Sequence, residues 1–203
     1  MFVKHNANKV VVLIVYVDNI VVTGNDEEEV THLKRQLAKE FEIKDHGSLR
    51  YFLGIEVARS DKDIFISQRK YVLDLGETSM LDCKPSDSPI EANHRLCSGV
   101  GDKDRYQRLV GRLIYLSHTR LYIAHAVGIV SQFMHDPRAT YLDASYCILR
   151  YLKSAPGKGI LFSNHGHLRL EVFTDADWAS SIDDRRFTSG YCAFVGGKFG
   201  YLA

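Results

Sequence analysis

The chain has 203 residues, 45% hydrophobic, 11% aromatic and 25% charged, the balance of an ordinary folded protein and too apolar for a disordered one. No stretch approaches the ~18 consecutive apolar residues of a membrane-spanning helix, and Met1-Phe2-Val3-Lys4-His5 lacks a signal-peptide layout, so an intracellular protein without membrane contact is expected. Twenty-six basic against twenty-five acidic residues leave a net charge of +1, so any nucleic-acid contact must come from a local patch.

Val10 to Val15 is wholly apolar and four of its six residues are valine, which predicts a strand buried on both faces. Tyr16-Val17-Asp18-Asn19 interrupts the run and Ile20-Val21-Val22 resumes it, so a hairpin is expected with Asp18-Asn19 at its tip. Asn25 or Asp26 can cap a following helix whose first turn holds Glu27, Glu28 and Glu29 and whose apolar stripe is Val30, Leu33, Leu37 and Phe41. Leu49 to Ala58 and Ile64 to Ile66 flank the polar tip Ser60-Asp61-Lys62-Asp63, a second hairpin signal, and Ser67 can cap a helix from Gln68 to about Leu81. Residues 84–104 carry Pro85, Pro89 and several Ser and Gly without periodicity, and read as a linker at a domain break.

Three helical patterns follow: Asp104 to His118, Tyr122 to His135, and Ala139 to Lys153. Gly159 to Ser163, Leu168 to Asp175 and Ser189 to Val195 return to strand character. Cys83, Cys97, Cys147 and Cys192 are too scattered for a zinc site or a disulfide framework and read as reduced thiols. His165 and His167 flank Gly166 without a third ligand nearby, which reads as a polar turn.

A carboxylate at the tip of a tight hairpin is a rigid way to present oxygen to Mg²⁺, and two-metal phosphoryl transfer needs such groups from more than one segment. Asp-Asn is also ordinary turn chemistry, and the hairpin by itself leaves both readings open. In the helix beginning near Asp104, Arg105, Arg108 and Arg112 share one face, either a basic surface that tracks phosphates or a plain solvated face.

Val15-Tyr16-Val17-Asp18-Asn19-Ile20 followed by Thr23-Gly24-Asn25 resembles the Y-V-D-D catalytic hairpin of reverse transcriptases of copia-type LTR retrotransposons. The resemblance continues in order through Leu49-Arg50-Tyr51-Phe52-Leu53-Gly54-Ile55-Glu56-Val57, Ser67-Gln68-Arg69-Lys70-Tyr71, Tyr106-Gln107-Arg108-Leu109-Val110-Gly111, Leu113-Ile114-Tyr115-Leu116-Ser117 and Thr174-Asp175-Ala176-Asp177-Trp178-Ala179. It implies an α+β fold: residues 1–83 as part of a polymerase palm, 84–104 as the linker, 105–157 as a helical thumb and connection, and 158–203 as a truncated ribonuclease H-like start. Asp18 is then a catalytic Mg²⁺ ligand, and Asp175 matches the first acidic residue of a ribonuclease H site, although without the resemblance it reads rather as a solvent-side strand residue. Tyr16, Arg105, Arg108 and Arg112 are implied contacts to an RNA or DNA template-primer.

Departures from the family pattern shape the remaining expectations. The family pair is Asp-Asp, whereas Asn19 offers a neutral carbonyl that binds Mg²⁺ less well; some RNA-virus polymerases also carry Asp-Asn, so the change alone need not abolish activity. The family's other metal-binding aspartate lies upstream of the hairpin, so RNA-directed DNA synthesis is the inherited function while the isolated chain is expected to bind Mg²⁺ weakly and to be inactive. The family's Thr-Arg-Pro-Asp-Ile is here Thr119-Arg120-Leu121-Tyr122-Ile123. A non-catalytic nucleic-acid-binding module and an unselected transposon remnant are the alternatives. The uncharged run Val10 to Val15 is further expected to act as an open palm strand that draws copies of the chain together.

Overall fold

The computed structural model describes residues 1–79, 84–90, 102–137, 139–164, 166–167, 169–177 and 188–196. It is a mixed α+β fold whose chain divides into two compact units, Met1–Leu49 and Arg50–Ala203.

In the first unit β1 (Phe2–Asn6), β2 (Lys9–Tyr16) and β3 (Asn19–Gly24) form an antiparallel sheet in the order β1-β2-β3, followed by α1 (Glu27–Glu40). Asp26 caps α1, its side chain accepting from the Glu29 N–H at 3.3 Å, and the acidic first turn complements the helix dipole. Lys4 reaches Glu29 at 2.6 Å and Lys9 reaches Asp26 at 3.1 Å, so the start of α1 is tied to the sheet face that also bears Val11, Leu13 and Val15. The strand expected to be buried on both faces is half-buried instead: only Val11 is buried in β2, and Val15 is 47% exposed. A single helix covers one face of a three-stranded sheet, and the face of Val3, Val10, Val12, Ile14 and Val21 is the other one. β2 is also the central strand, so the open edges belong to β1 and β3 and not to the apolar run itself.

In the second unit the stretch read as one strand from Leu49 to Ala58 is itself a hairpin, β4 (Tyr51–Phe52) and β5 (Ile55–Arg59) around Leu53-Gly54. Leu53 and Gly54 both have positive φ, +50° and +84°, the signature of a type I′ turn, and the Tyr115 hydroxyl donates to the Leu53 carbonyl. β6 (Asp63–Ser67) pairs with β5, and α2 (Arg69–Ser79), α3 (Lys103–Ser117), a 3-10 turn (Leu121–Ile123), α4 (Ala124–Ser131) and α5 (Ala139–Ser154) follow. β7 (Gly159–Ser163) then returns to β6, giving the sheet order β4-β5-β6-β7, while β8 (Leu170–Asp177) and β9 (Thr188–Val195) form a separate ribbon.

Two expectations change here. Residues 159–163, placed by sequence in the ribonuclease H-like portion, complete the sheet of the second hairpin, Ser67 opposite Gly159 and Asp63 opposite Ser163. The division between packing units falls after Leu49 and not within 84–104, because Val72 and Leu75 of α2 share one core with Tyr106, Leu113 and Leu116 of α3, Val130 of α4 and Ile148 of α5. Residues 84–90 lie along α5, with the Ser86 N–H donating to Arg150 O at 3.3 Å. Arg120 is fully buried and reaches the carbonyl of Ala155 at 2.9 Å and the Tyr122 hydroxyl at 2.8 Å, so Tyr122 accepts where the family pattern has a carboxylate. Among the described residues no helix is long and apolar enough to cross a membrane.

Candidate active site

The β2–β3 hairpin positions the first candidate residues. Tyr16 pairs with Asn19, so the two-residue turn is Val17-Asp18, one residue earlier than the expected tip, and Asn19 is the first residue of β3. Val17 takes φ +49°, and a β-branched residue held there costs about 1–2 kcal/mol relative to extended backbone. Positive φ at the first central position alone is the sign pattern of a type II′ turn. Val17 is 79% exposed, and Tyr16, Asp18 and Asn19 are exposed beside it. Among the described residues no hydrogen bond or ion pair engages Asp18, and its oxygens face solvent as a hard donor set suited to Mg²⁺.

Asp175 lies in β8 opposite Gly190, exposed, with its carboxylate accepting the N–H of Ala176 at 3.0 Å. It belongs to the second unit, whereas Asp18 belongs to the first. No three His, Cys, Asp or Glu side chains converge among the described residues. His167 sits in a turn where its ring accepts the Arg169 N–H, while His165, Cys83 and Cys97 lie outside the described residues; Cys147 is a buried free thiol.

The arginine face of α3 forms as its spacing implies. Tyr106, Leu109, Val110, Leu113 and Leu116 are buried, and Arg105, Arg108 and Arg112 are exposed. The Arg105 guanidinium stands 5.5 Å over the ring of Tyr146 in α5, and the Arg112 charge bears on Tyr71 in α2, whose hydroxyl is pushed up by burial and drawn partly back by that arginine. One end of the basic row, Arg105, therefore lies over an aromatic ring of a neighbouring helix.

At the base of the first hairpin the Lys9 ammonium hydrogen-bonds Asp26 and holds its carboxyl below the usual range. Sequence reasoning took Asn25 and Asp26 as interchangeable caps; Asp26 alone caps, and Asn25 bonds back into the sheet.

A family profile described as reverse transcriptase (RNA-dependent DNA polymerase) matches residues 1–92. The chain is 40% identical over 97% of its length to the retrovirus-related Pol polyprotein from transposon RE1 of Arabidopsis thaliana, and 33% identical over 98% to that from transposon TNT 1-94 of Nicotiana tabacum. It spans 14% and 16% of those two relatives. An uncharacterized mitochondrial protein of Arabidopsis thaliana, AtMg00810, is 37% identical over 91% of the chain, which covers 78% of that relative. No solved structure matches.

Proposed function

Since this chain belongs to the reverse transcriptase region of copia-type retrotransposon Pol polyproteins, we propose that Asp18 is a Mg²⁺ ligand for two-metal nucleotidyl transfer onto a template-primer. The observation that carries this reading is the exposed Val17-Asp18 turn, held by the central and edge strands of a sheet, with Asp18 in the turn and Asn19 opening the edge strand where the family resemblance has its Asp-Asp pair. A strand-anchored carboxylate is pre-positioned, so binding a metal costs little reorganisation. The ion, when bound, supplies Lewis-acid stabilisation of the transferring phosphoryl group. Asp18 would hold it through a carboxylate oxygen, Asn19 would offer only a neutral carbonyl, and Tyr16 would stand against the primer end.

Two-metal chemistry needs a further carboxylate, which in this reading comes from the segment upstream of the hairpin in the longer polyprotein. Asp18 by itself does not complete a two-metal site, so the isolated chain is proposed to be inactive, and Asp175 is proposed as a ribonuclease H-like metal ligand. The exposed row Arg105, Arg108 and Arg112 supports a second role that does not depend on catalysis, phosphate contact from the thumb.

The test supplies the chain with the reverse transcriptase segment that precedes the matching region of RE1 and measures Mg²⁺-dependent primer extension. Extension is expected only with both pieces; it is lost in Asp18→Ala and raised in Asn19→Asp. Extension untouched by Asp18→Ala would overturn the reading.

A further inference from the structure

The strands that carry Asp18 are poorly equipped to choose their own register. β2 and β3 present Val10 to Val15 against Ile20-Val21-Val22, and a slide of two residues leaves every apolar side chain on its original face. Leu13, now opposite Val22, would meet Ile20 or Gly24, and Val15, now opposite Ile20, would meet Val22 in one of these alternatives. A one-residue slip is different, because it would turn buried Val11 outward. The turn does not settle the choice either: a tight two-residue turn of this sign favours glycine at its first position, and Val17 at φ +49° is strained there. A longer loop in a shifted register would relieve that strain.

Discrimination is present at the opposite end. The Asn25 N–H donates to the Val10 carbonyl at 3.1 Å, and the Val10 N–H donates to the Asn25 side-chain oxygen at 2.6 Å. The Asn25 amide in turn donates to the Asn8 carbonyl at 3.1 Å. The side chain of Asn25 thus takes the place of a backbone carbonyl and adds one rung to the ladder, while the backbone itself leaves the sheet to begin α1 at the Asp26 cap. Gly24 lies opposite Val11, and a Cβ there would stand 2.2 Å from the Val10 oxygen and 2.9 Å from the Val11 Cα. In this structure the Asn25 bonds fall on Val10 and the close approach at Gly24 falls on Val10 and Val11.

We propose that Gly24 and Asn25 are positioning residues: together they lock the β2–β3 register and thereby place Asp18 in the two-residue turn. A slide of two residues would shift the strands by about 7 Å relative to each other, far outside the roughly 0.5 Å tolerance of a working site. The consequence for catalysis rests on the reading of Asp18 as a metal ligand, whereas the register claim is measured without it.

The experiment uses the whole isotopically labelled chain and reads cross-strand Hα–Hα contacts by NMR. The alternation of bonded and non-bonded pairs around Val10 and Asn25 makes Leu13/Val22 and Val15/Ile20 close non-bonded pairs in the native chain. In Asn25→Ala and Gly24→Ala these contacts are expected to weaken while Val15/Val22 or Leu13/Ile20 contacts emerge. Asn25→Asp, which keeps an acceptor for the Val10 N–H, is expected to retain the native set. The proposal is overturned if Asn25→Ala keeps only native contacts, if its strands simply unpair while the second unit stays folded, or if Asn25→Asp shifts as Asn25→Ala does. Primer extension unaffected by Asp18→Ala would overturn the function of Asp18 and leave the register result standing.

Discussion

The Glu56 carboxylate in β5 accepts the backbone N–H of Lys70 at 2.9 Å, so a strand caps a helix whose own first turn has no acidic residue. That turn carries Arg69 and Lys70 at the positive end of the helix dipole, and Glu56 supplies the missing anion. Glu56→Ala is expected to destabilise the second unit by about 1 kcal/mol, with Glu56→Gln intermediate because it keeps an acceptor and loses the charge. Urea denaturation followed through the helical signal checks both.

Tyr106 is fully buried, its hydroxyl donates to the Val130 carbonyl, and burial pushes the phenol up to about 12, so it remains a neutral donor throughout the physiological range. Tyr106→Phe preserves the packing and strips that donor from a buried carbonyl. A loss of about 1–3 kcal/mol is expected, seen as a lower urea midpoint with an unchanged slope.

The first unit is expected to weaken in acid. Lys9, together with the Glu29 and Glu28 amides, holds the Asp26 carboxyl below its ordinary value of 3.8, and the Gly47 amide with Lys34 does the same for Asp45. Each carboxyl binds protons less readily folded than unfolded, so its contribution is fully present above its ordinary value and fades as pH falls through the lowered one. Asp26→Asn should flatten part of that dependence and leave the part due to Asp45, which thermal melts of β-sheet signal between neutral and acidic pH will resolve.

Binding to nucleic acid through α3 is expected to be weak, indifferent to sequence and sensitive to salt, since the row has three arginines and the chain's net charge is +1. On duplex DNA each phosphate neutralised contributes roughly −0.9 to the slope of log affinity against log salt. Replacing Arg105, Arg108 and Arg112 together with glutamine should flatten the slope without altering any base preference. A slope that survives the triple change would place the contact elsewhere.

Self-association is expected through β3 in preference to β1. Asn19–Gly24 is a six-residue edge strand with no charge and no proline, whereas the β1 edge carries Lys4. Ile20→Lys should therefore shift sedimentation toward the monomer, and an equal change at Val3→Lys would point to the other edge.

Much of this molecule is written locally in its sequence. The Asp26 cap with its acidic first turn, the apolar period of α3 and the breaks near Pro137 and Pro156 each depend on neighbours a few residues apart, which is why α1, α3 and α5 are legible to within a residue or two. The Asp18 hairpin was equally visible as an interruption between two apolar runs. Its turn was displaced by one residue because the apolar alternation does not say where pairing stops, whereas Tyr16 opposite Asn19 does. Other features belonged to the tertiary structure alone. β1 has no clean alternation and is a strand because Lys4 and Val3 find Val11 and Val12 across the ladder. Ile66 pairs with Ile160, and Glu56 caps α2, through contacts between segments that carry no local sign of each other. Periodicity and capping are properties of a segment, while the choice of strand partner is a property of the packed chain.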